Sequence, residues 1–342
     1  MCIRDRYNYG LLRPSGLVKK SLDIKVLRSQ TNNFKISLSY CRAITQGGLL
    51  IEITPDSHEE IVYENNLDNE LSINRNLYYY AIIAVDPYNR IPMGNPVVNE
   101  EPMRHPYAVI SYKLMMVAEE NISLPEFKDY YFPVARFMTK SGSEMYLDEN
   151  YFPPCSVIQG HPTLVAMYNG FIEKLNKIQE DSDLVIQKII SKGQNFALAQ
   201  NINKVCQKTS EQITNLFFDV VNILPYQPPI FIVRTIVQVA GAVNFTLKTI
   251  PEKEKEEMMQ YFKEWNNISA SEFEDMISAV VDLTYDHNNL YKTFLPITAF
   301  VNKWSDIMEK LSENEIGKRR NTGDIMIGQK YEEKKKGFSL LD

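Results

Sequence analysis

Few residues in this chain are of types and in positions that could do chemistry. Asp286 and His287 stand side by side in "YDHNNL", where a carboxylate could orient an imidazole as a base. Cys155 follows Pro153 and Pro154, a setting open to a reactive thiol. Arg104 and His105 in "MRHPY" could hold an anion, and Tyr78, Tyr79 and Tyr80 could stack a ligand. Each has a plainer reading, and the sequence favours it. Asp, His and Asn supply the capping hydrogen bonds of a helix-to-helix turn. A cysteine at a domain junction is usually a small buried hydrophobe, a residue before proline enters a strand extended, and tyrosine is an ordinary strand residue. His58 and His161 are far from the other two histidines, and no third partner for Asp286 and His287 is visible. Phosphate-cradling glycine loops, nucleophile elbows, metal-type His-Glu helix motifs and CxxC pairs are all missing. The sequence therefore predicts no catalytic residue, no metal and no cofactor, and a chain that is not an enzyme.

The chemistry-poor reading puts weight on the elements. At 342 residues and 39.6 kDa there is room for two or three compact units. A hydrophobic fraction of 44% and a charged fraction of 23% suit a folded protein with a sizeable core. A net charge of −6 argues against a nucleic-acid binder, which needs a basic face. The longest apolar stretch, 228–245, is interrupted by Arg234, Thr235, Gln238 and Asn244 and reads as too polar to span a bilayer. The four scattered cysteines suggest a reducing, cytoplasmic setting. The opening "MCIRDR" (1–6) reads as a non-native leader, similar to adapter read-through in an assembled sequence.

From Ser21 to the "SGSE" turn (141–144) the pattern is that of strands. Leu22, Ile24 and Val26 alternate with polar residues, as do Phe34, Ile36, Leu38 and Tyr40. "QGG" (46–48) turns into "LLIEI". "LYYYAIIAV" (77–85) should end at the Pro- and Gly-rich "DPYNRIPMGNP", and 107–117 and 132–140 are further strands. Six or seven strands without intervening amphipathic helices predict an antiparallel sandwich over 7–160, and an α+β chain overall.

Pro162 then opens helical sequence. A 4,3 ladder runs from Leu164 to Phe217, and all its positions but Ser182, Lys192, Asn203 and Ser210 are apolar. Held as one helix, it would be a rod of roughly 80 Å, with Gly193 as the place where it would break if two helices formed instead. Its seam reads either as the core of a bundle within one chain or as an oligomer interface. Its narrowness and length favour the second. The interface residues are then Leu164, Tyr168, Phe171, Leu175, Ile178, Val185, Ile189 and Phe196, and Pro153, Pro154, Cys155 and Pro162 form the domain hinge. After the turn "LPYQPPI", helices follow from Pro228, from Pro251 and from the capping box "SASE" (269–272), with a last one ending near Leu311. The helical region spans 161–312, and 313–342 is a charged, flexible tail.

Several of these segments resemble one family. "YFPPCSVIQGHPTLVAMYNGFIEKL" (151–175) is similar to the shell-to-neck junction of the TssK family, baseplate subunits of type VI secretion systems. "YNYGLL" (7–12), "SYCRAITQGGLLIEI" (39–53), "PPIFIVRTIVQVAGAVNF" (228–245) and "YDHNNL" followed by "FLP" resemble further parts of it in order, over most of 7 to about 311. The resemblance implies a homotrimer with a shell domain, a helical neck and a head that docks on the membrane complex. Its implied partners are the wedge proteins TssF and TssG, and its place is the cytoplasmic face of the envelope. Two departures stand out: the family's segment before the Tyr-Gly motif is absent, and the short tail leaves no room for a usual head. The expected function is thus a trimeric structural adaptor of a contractile baseplate. The alternatives are a phage-like receptor-binding protein and an enzyme with its site in the sheet domain.

Overall fold

The computed structural model describes residues 15–28, 33–66, 78–97, 99–122, 129–139 and 145–317. The expected leader, the "YNYGLL" stretch, the "SGSE" turn and the tail beyond residue 317 lie outside them. The chain divides into two compact units, one of residues 1–173, 216–237 and 282–298, the other of 174–215, 238–281 and 299–342.

Two antiparallel sheets lie in the first unit. β1 (Gly16–Arg28) pairs along one edge of β2 (Asn33–Ile44), and the other edge of β2 carries two short strands in tandem. These are β3 (Leu50–Ile53) against residues 41–44 and β4 (Ile61–Asn66) against residues 33–38. The second sheet has the order β6-β5-β7-β8, from β5 (Tyr78–Met93), β6 (Tyr107–Ala118), β7 (Tyr131–Thr139) and β8 (Met145–Leu147). A single helical turn, α1 (Glu119–Ile122), follows β6. Ile36, Leu38, Ile51 and Ile53 of the first sheet and Ile82, Ile83, Phe132 and Phe137 of the second are buried. Polar ties join the sheets: the Glu52 amide donates to the Tyr112 hydroxyl at 3.1 Å, and His58 Nε2 donates to the Ile110 carbonyl at 3.2 Å.

The α+β class is as the sequence indicates, but three local expectations change. β4, "IVYENN", was not among the expected strands. Tyr40 does not share the buried face of Ile36 and Leu38. An extra residue, Ser39, bulges between the pairs Asp23–Tyr40 and Ile24–Leu38, so Cys41 and Ala43 take the inward positions. β5 does not stop before Pro87. It bulges between Asp86 and Arg90, with Asp86 Oδ1 accepting from the amides of Tyr88 and Asn89 at 3.1 and 3.2 Å, and then continues to Met93 against β6. Beyond Ala84, β7 no longer pairs with β5, and an open edge tolerates proline.

The long rod is two helices. α2 (Pro162–Ser191) and α3 (Ala197–Asn222) run antiparallel, tied by Gln179 to Thr214 at 2.8 Å and Ser210 to Asp183 at 2.7 Å. α2 ends in a Schellman motif. Gly193 takes the left-handed conformation (φ +60°), its amide donates to the Ile190 carbonyl, and the Gln194 amide donates to that of Ile189, both at 3.1 Å. Instead of one rod of roughly 80 Å, each arm is about 40–45 Å long.

α4 (Ile230–Lys248), α5 (Glu252–Asn266), α6 (Ala270–Val281) and α7 (Leu290–Glu313) follow. The capping box forms as expected: the Glu272 amide donates to Ser269 Oγ at 3.2 Å, and the Ser269 amide to Glu272 Oε2 at 2.8 Å. By length and composition α4 could cross a bilayer, contrary to the sequence reading. Its apolar face, with Ile232, Ile236, Val239 and Val243, is buried within the protein, and core burial accounts for that composition. In the second unit Trp304 stacks on Phe273 (5.7 Å) and Phe300 (6.4 Å), and Phe262 meets Phe273 edge-on at 6.2 Å.

Candidate functional site

Two of the singled-out stretches, 151–164 and "YDHNNL", converge on the start of β1 in the first unit. At the start of β1 the Leu17 amide donates to the Pro154 carbonyl at 2.8 Å, and the Ser156 amide and hydroxyl both donate to the Leu17 carbonyl at 2.9 Å. Leu17 and Cys155 thereby form a parallel bridge. Such an approach needs glycine. A Cβ on Gly16, whose φ is +122°, would stand 2.6 Å from the Cys155 carbonyl carbon, and one on Gly160 would stand 2.6 Å from the Leu17 oxygen. Pro153 and Pro154 are buried and have no N–H to satisfy, so only their carbonyls act: Pro154 towards Leu17, Pro153 towards the Cys155 thiol at 3.3 Å. Pro162 is the first residue of α2, and beside it His161 stacks on Phe152 at 5.4 Å. Burial raises the pKa of the Cys155 thiol, which keeps it protonated and unreactive. The stretch expected to be a hinge is, at residues 153–156, stitched to β1.

His287 meets the same place from the turn before α7. Its Nε2 donates to the Ser15 carbonyl at 2.9 Å, so its Nδ1 is the acceptor for the Tyr285 hydroxyl at 2.7 Å. Burial lowers its pKa, and the neutral ring is what this pair of bonds requires. With both nitrogens engaged, His287 has no lone pair for a substrate proton; it is a structural tie. Asp286 points elsewhere: its Oδ1 accepts from the Asn288 amide at 2.9 Å.

Asp286 lines a cavity of about 300 Å³, together with Ser15, Gln46, Tyr80, Glu119, Ile122, Tyr131, Phe132, Pro133, Pro154, Asn288 and Asn289. The Tyr80 hydroxyl donates to Glu119 Oε1 at 3.3 Å, and Gln46 Nε2 to Asn288 Oδ1 at 3.2 Å. Beside Tyr80, the buried Arg136 pairs with Asp148 (Nη2 to Oδ2, 2.7 Å) and lies over the rings of Tyr78 at 4.7 Å and Tyr151 at 5.1 Å. Among the described residues no cysteine or histidine lines the cavity, and no group of three His, Cys, Asp or Glu side chains could hold a metal. The lining comes from stretches far apart in sequence, so no spacing could have announced it. Of the residues flagged in the sequence only Tyr80, Pro154 and Asp286 reach it. Arg104 and His105 make contacts within their own loop, Arg104 4.0 Å from Glu100 and His105 Nδ1 donating to the Gly94 carbonyl at 2.7 Å.

The ladder residues expected at an oligomer interface are covered by their own chain. Leu164, Tyr168, Phe171, Leu175, Ile178, Val185 and Ile189 are buried in the single chain, and Phe196 is half-buried. The reversal at Gly193 is the reason: folding the ladder back on itself lets one chain bury a seam that a straight rod could not. The Tyr168 hydroxyl donates to the Val220 carbonyl at 2.7 Å, and the Phe171 ring stacks with that of Phe294 at 6.0 Å. The apolar surface left outside is elsewhere. Phe217, Phe218 (69% exposed) and Val221 line one side of α3, and Ile223 and Tyr226 (68%) follow.

No protein-family model matches the sequence, and no curated protein matches it. Solved structures similar to the chain include TssK structures. One is TssK from the type VI secretion system of EAEC in complex with a nanobody, at 13% identity and a TM-score of 0.47, covering 87% of this chain and 64% of that one. A crystal structure of TssK is similar at 14% identity and a TM-score of 0.48, covering 85% and 60%. The TssK-TssF-TssG baseplate subcomplex contains a chain similar at 14% and a TM-score of 0.44, covering 85% and 86%. The chain thus spans less than two thirds of the length of the first two. With identities of 13–14% and TM-scores below 0.5, the functional reading has to come from the chain's own motifs and surfaces.

Proposed function

We propose that this chain is a non-catalytic structural subunit of a type VI secretion baseplate, akin to TssK. One observation carries the reading. The stretches that resemble that family, at 151–175 and in "YDHNNL", meet each other at Ser15–Leu17 in a mesh of backbone hydrogen bonds, and the motif histidine has no free nitrogen. Residues shared for that reason serve architecture.

In this reading three copies associate, with TssF- and TssG-like wedge proteins as further partners, at the cytoplasmic face of the envelope. A contact to a membrane-complex component, through a surface not assigned, belongs to the same reading. Because the ladder is buried within one chain, the trimer contact in this reading moves to other surface. The exposed strip of Phe217, Phe218, Val221, Ile223 and Tyr226 supports association instead, since removing such surface from water is worth about 25 cal/mol per Å². Light scattering on the purified chain should give three times the 39.6 kDa monomer mass, and Phe218→Glu should shift it towards monomer. A stable monomer at micromolar concentration, together with no co-purification of wedge proteins from the native cell, would sink the proposal.

A further inference from the structure

We propose that the cavity lined by Glu119 and Asp286 is a binding site for a guanidinium group, carried by an arginine of a partner chain or by a small arginine-like molecule. The charge comes first. The cavity holds two carboxylates from stretches far apart in sequence, and no lysine, arginine or histidine lines it among the described residues. Neither carboxylate forms an ion pair with a described side chain. Glu119 receives only the long bond from Tyr80, and Asp286 Oδ1 receives the Asn288 amide. Two carboxylates lining one space, with no counter-ion among the described residues, favour a cation there.

The remaining lining selects the kind of cation. Tyr80, Tyr131 and Phe132 offer rings, and Pro133 and Pro154 offer flat apolar faces. An ammonium is compact and strongly hydrated, whereas a guanidinium is planar, weakly hydrated, stacks on rings and forks onto a carboxylate. Ser15, Asn288 and Asn289 add oxygens able to accept its remaining N–H groups. About 300 Å³ is at the small end of ligand sites, enough for one such group and its stem. The same sheet already uses a similar arrangement internally: Arg136 Nε and Nη2 both donate to Asp148 Oδ2, and the guanidinium lies over Tyr78 and Tyr151. Because Asp148 neutralises Arg136, that charge does not oppose a second cation next to it. The inference does not depend on the baseplate reading.

A ligand-observed NMR titration of the full chain with Nα-acetyl-arginine methylamide tests it, with the lysine and norleucine amides as controls. Saturable binding of the arginine amide is expected, tighter than either control and at least tenfold weaker in Glu119→Gln. Asp286→Asn, which keeps an oxygen for the Asn288 amide, should weaken it likewise, with a thermal melt showing that each variant folds. Agmatine binding more tightly than the arginine amide would identify a free small molecule as the source of the group, and the reverse order a peptide; either supports the site. No saturable binding, equal binding of the lysine or norleucine amide, or an unchanged affinity in folded Glu119→Gln overturns it.

Discussion

In the sheet-bearing unit the closest approaches are between backbones, whereas the helical unit is closed by ring faces. Gly16 and Gly160 let β1 and the 154–156 segment touch with no room for a methyl group. In the other unit Trp304, Phe273, Phe300 and Phe262 fill space against one another. Among the described residues Trp304 Nε1, Ser305 Oγ and Thr209 Oγ1 there are buried without a hydrogen-bond partner, as is the Tyr151 hydroxyl in the sheet-bearing unit. The first region is limited by geometry and the second by volume. A geometric site fails when anything is added; a volumetric one fails when something is removed.

That contrast gives its own tests, the largest first. Trp304→Ala should cost about 3–5 kcal/mol in urea unfolding. Trp304→Phe should cost far less, because the indole N–H has no partner to lose. Equal losses would mean that the ring's N–H matters and volume does not. Gly16→Ala, which only adds a methyl, should still cost about 3 kcal/mol, since it combines a left-handed φ with a backbone clash. A near-neutral result would show that the junction can relax and that the contrast is overdrawn.

The smallest effect is in pH. His287 and His161 are held below the usual histidine value of 6.5 by burial, so the unfolded chain binds protons that the folded one refuses. Their contribution is complete above about 6.5 and is lost as pH falls from there towards their lower folded values. The lowered carboxyls of Glu272 and Glu309 act only below their ordinary 4.5 and leave this window alone. Melting temperature should fall between pH 7.5 and pH 5.5, and by less in His287→Ala, where only His161 still titrates in this way. A flat profile in the unmodified chain would contradict a buried neutral His287.

The same contrast explains what could be read from the sequence. Helix positions, the capping box at Ser269 and most strands were legible because periodicity and capping are local. The partner of a face is not. The 164–217 ladder keeps its 3.5 period whether it meets a sister chain or its own continuation, and only the left-handed Gly193 decides. The bulge at Ser39 turns on one extra residue with no composition signal. The cavity lining was the least legible, because nothing in the sequence around Glu119 ties it to Asp286 until the fold puts both in one lining.

Three buried thiols among the described residues give a way to watch the two regions separately. Cys41 and Cys155 lie in the sheet-bearing unit and Cys206 in the helical one, each shielded and with its pKa raised by burial. An alkylating reagent can reach each only when its surroundings open, so the order in which the three are modified reports which unit breathes first. The chain carries its own clock for local opening, one hand in each half.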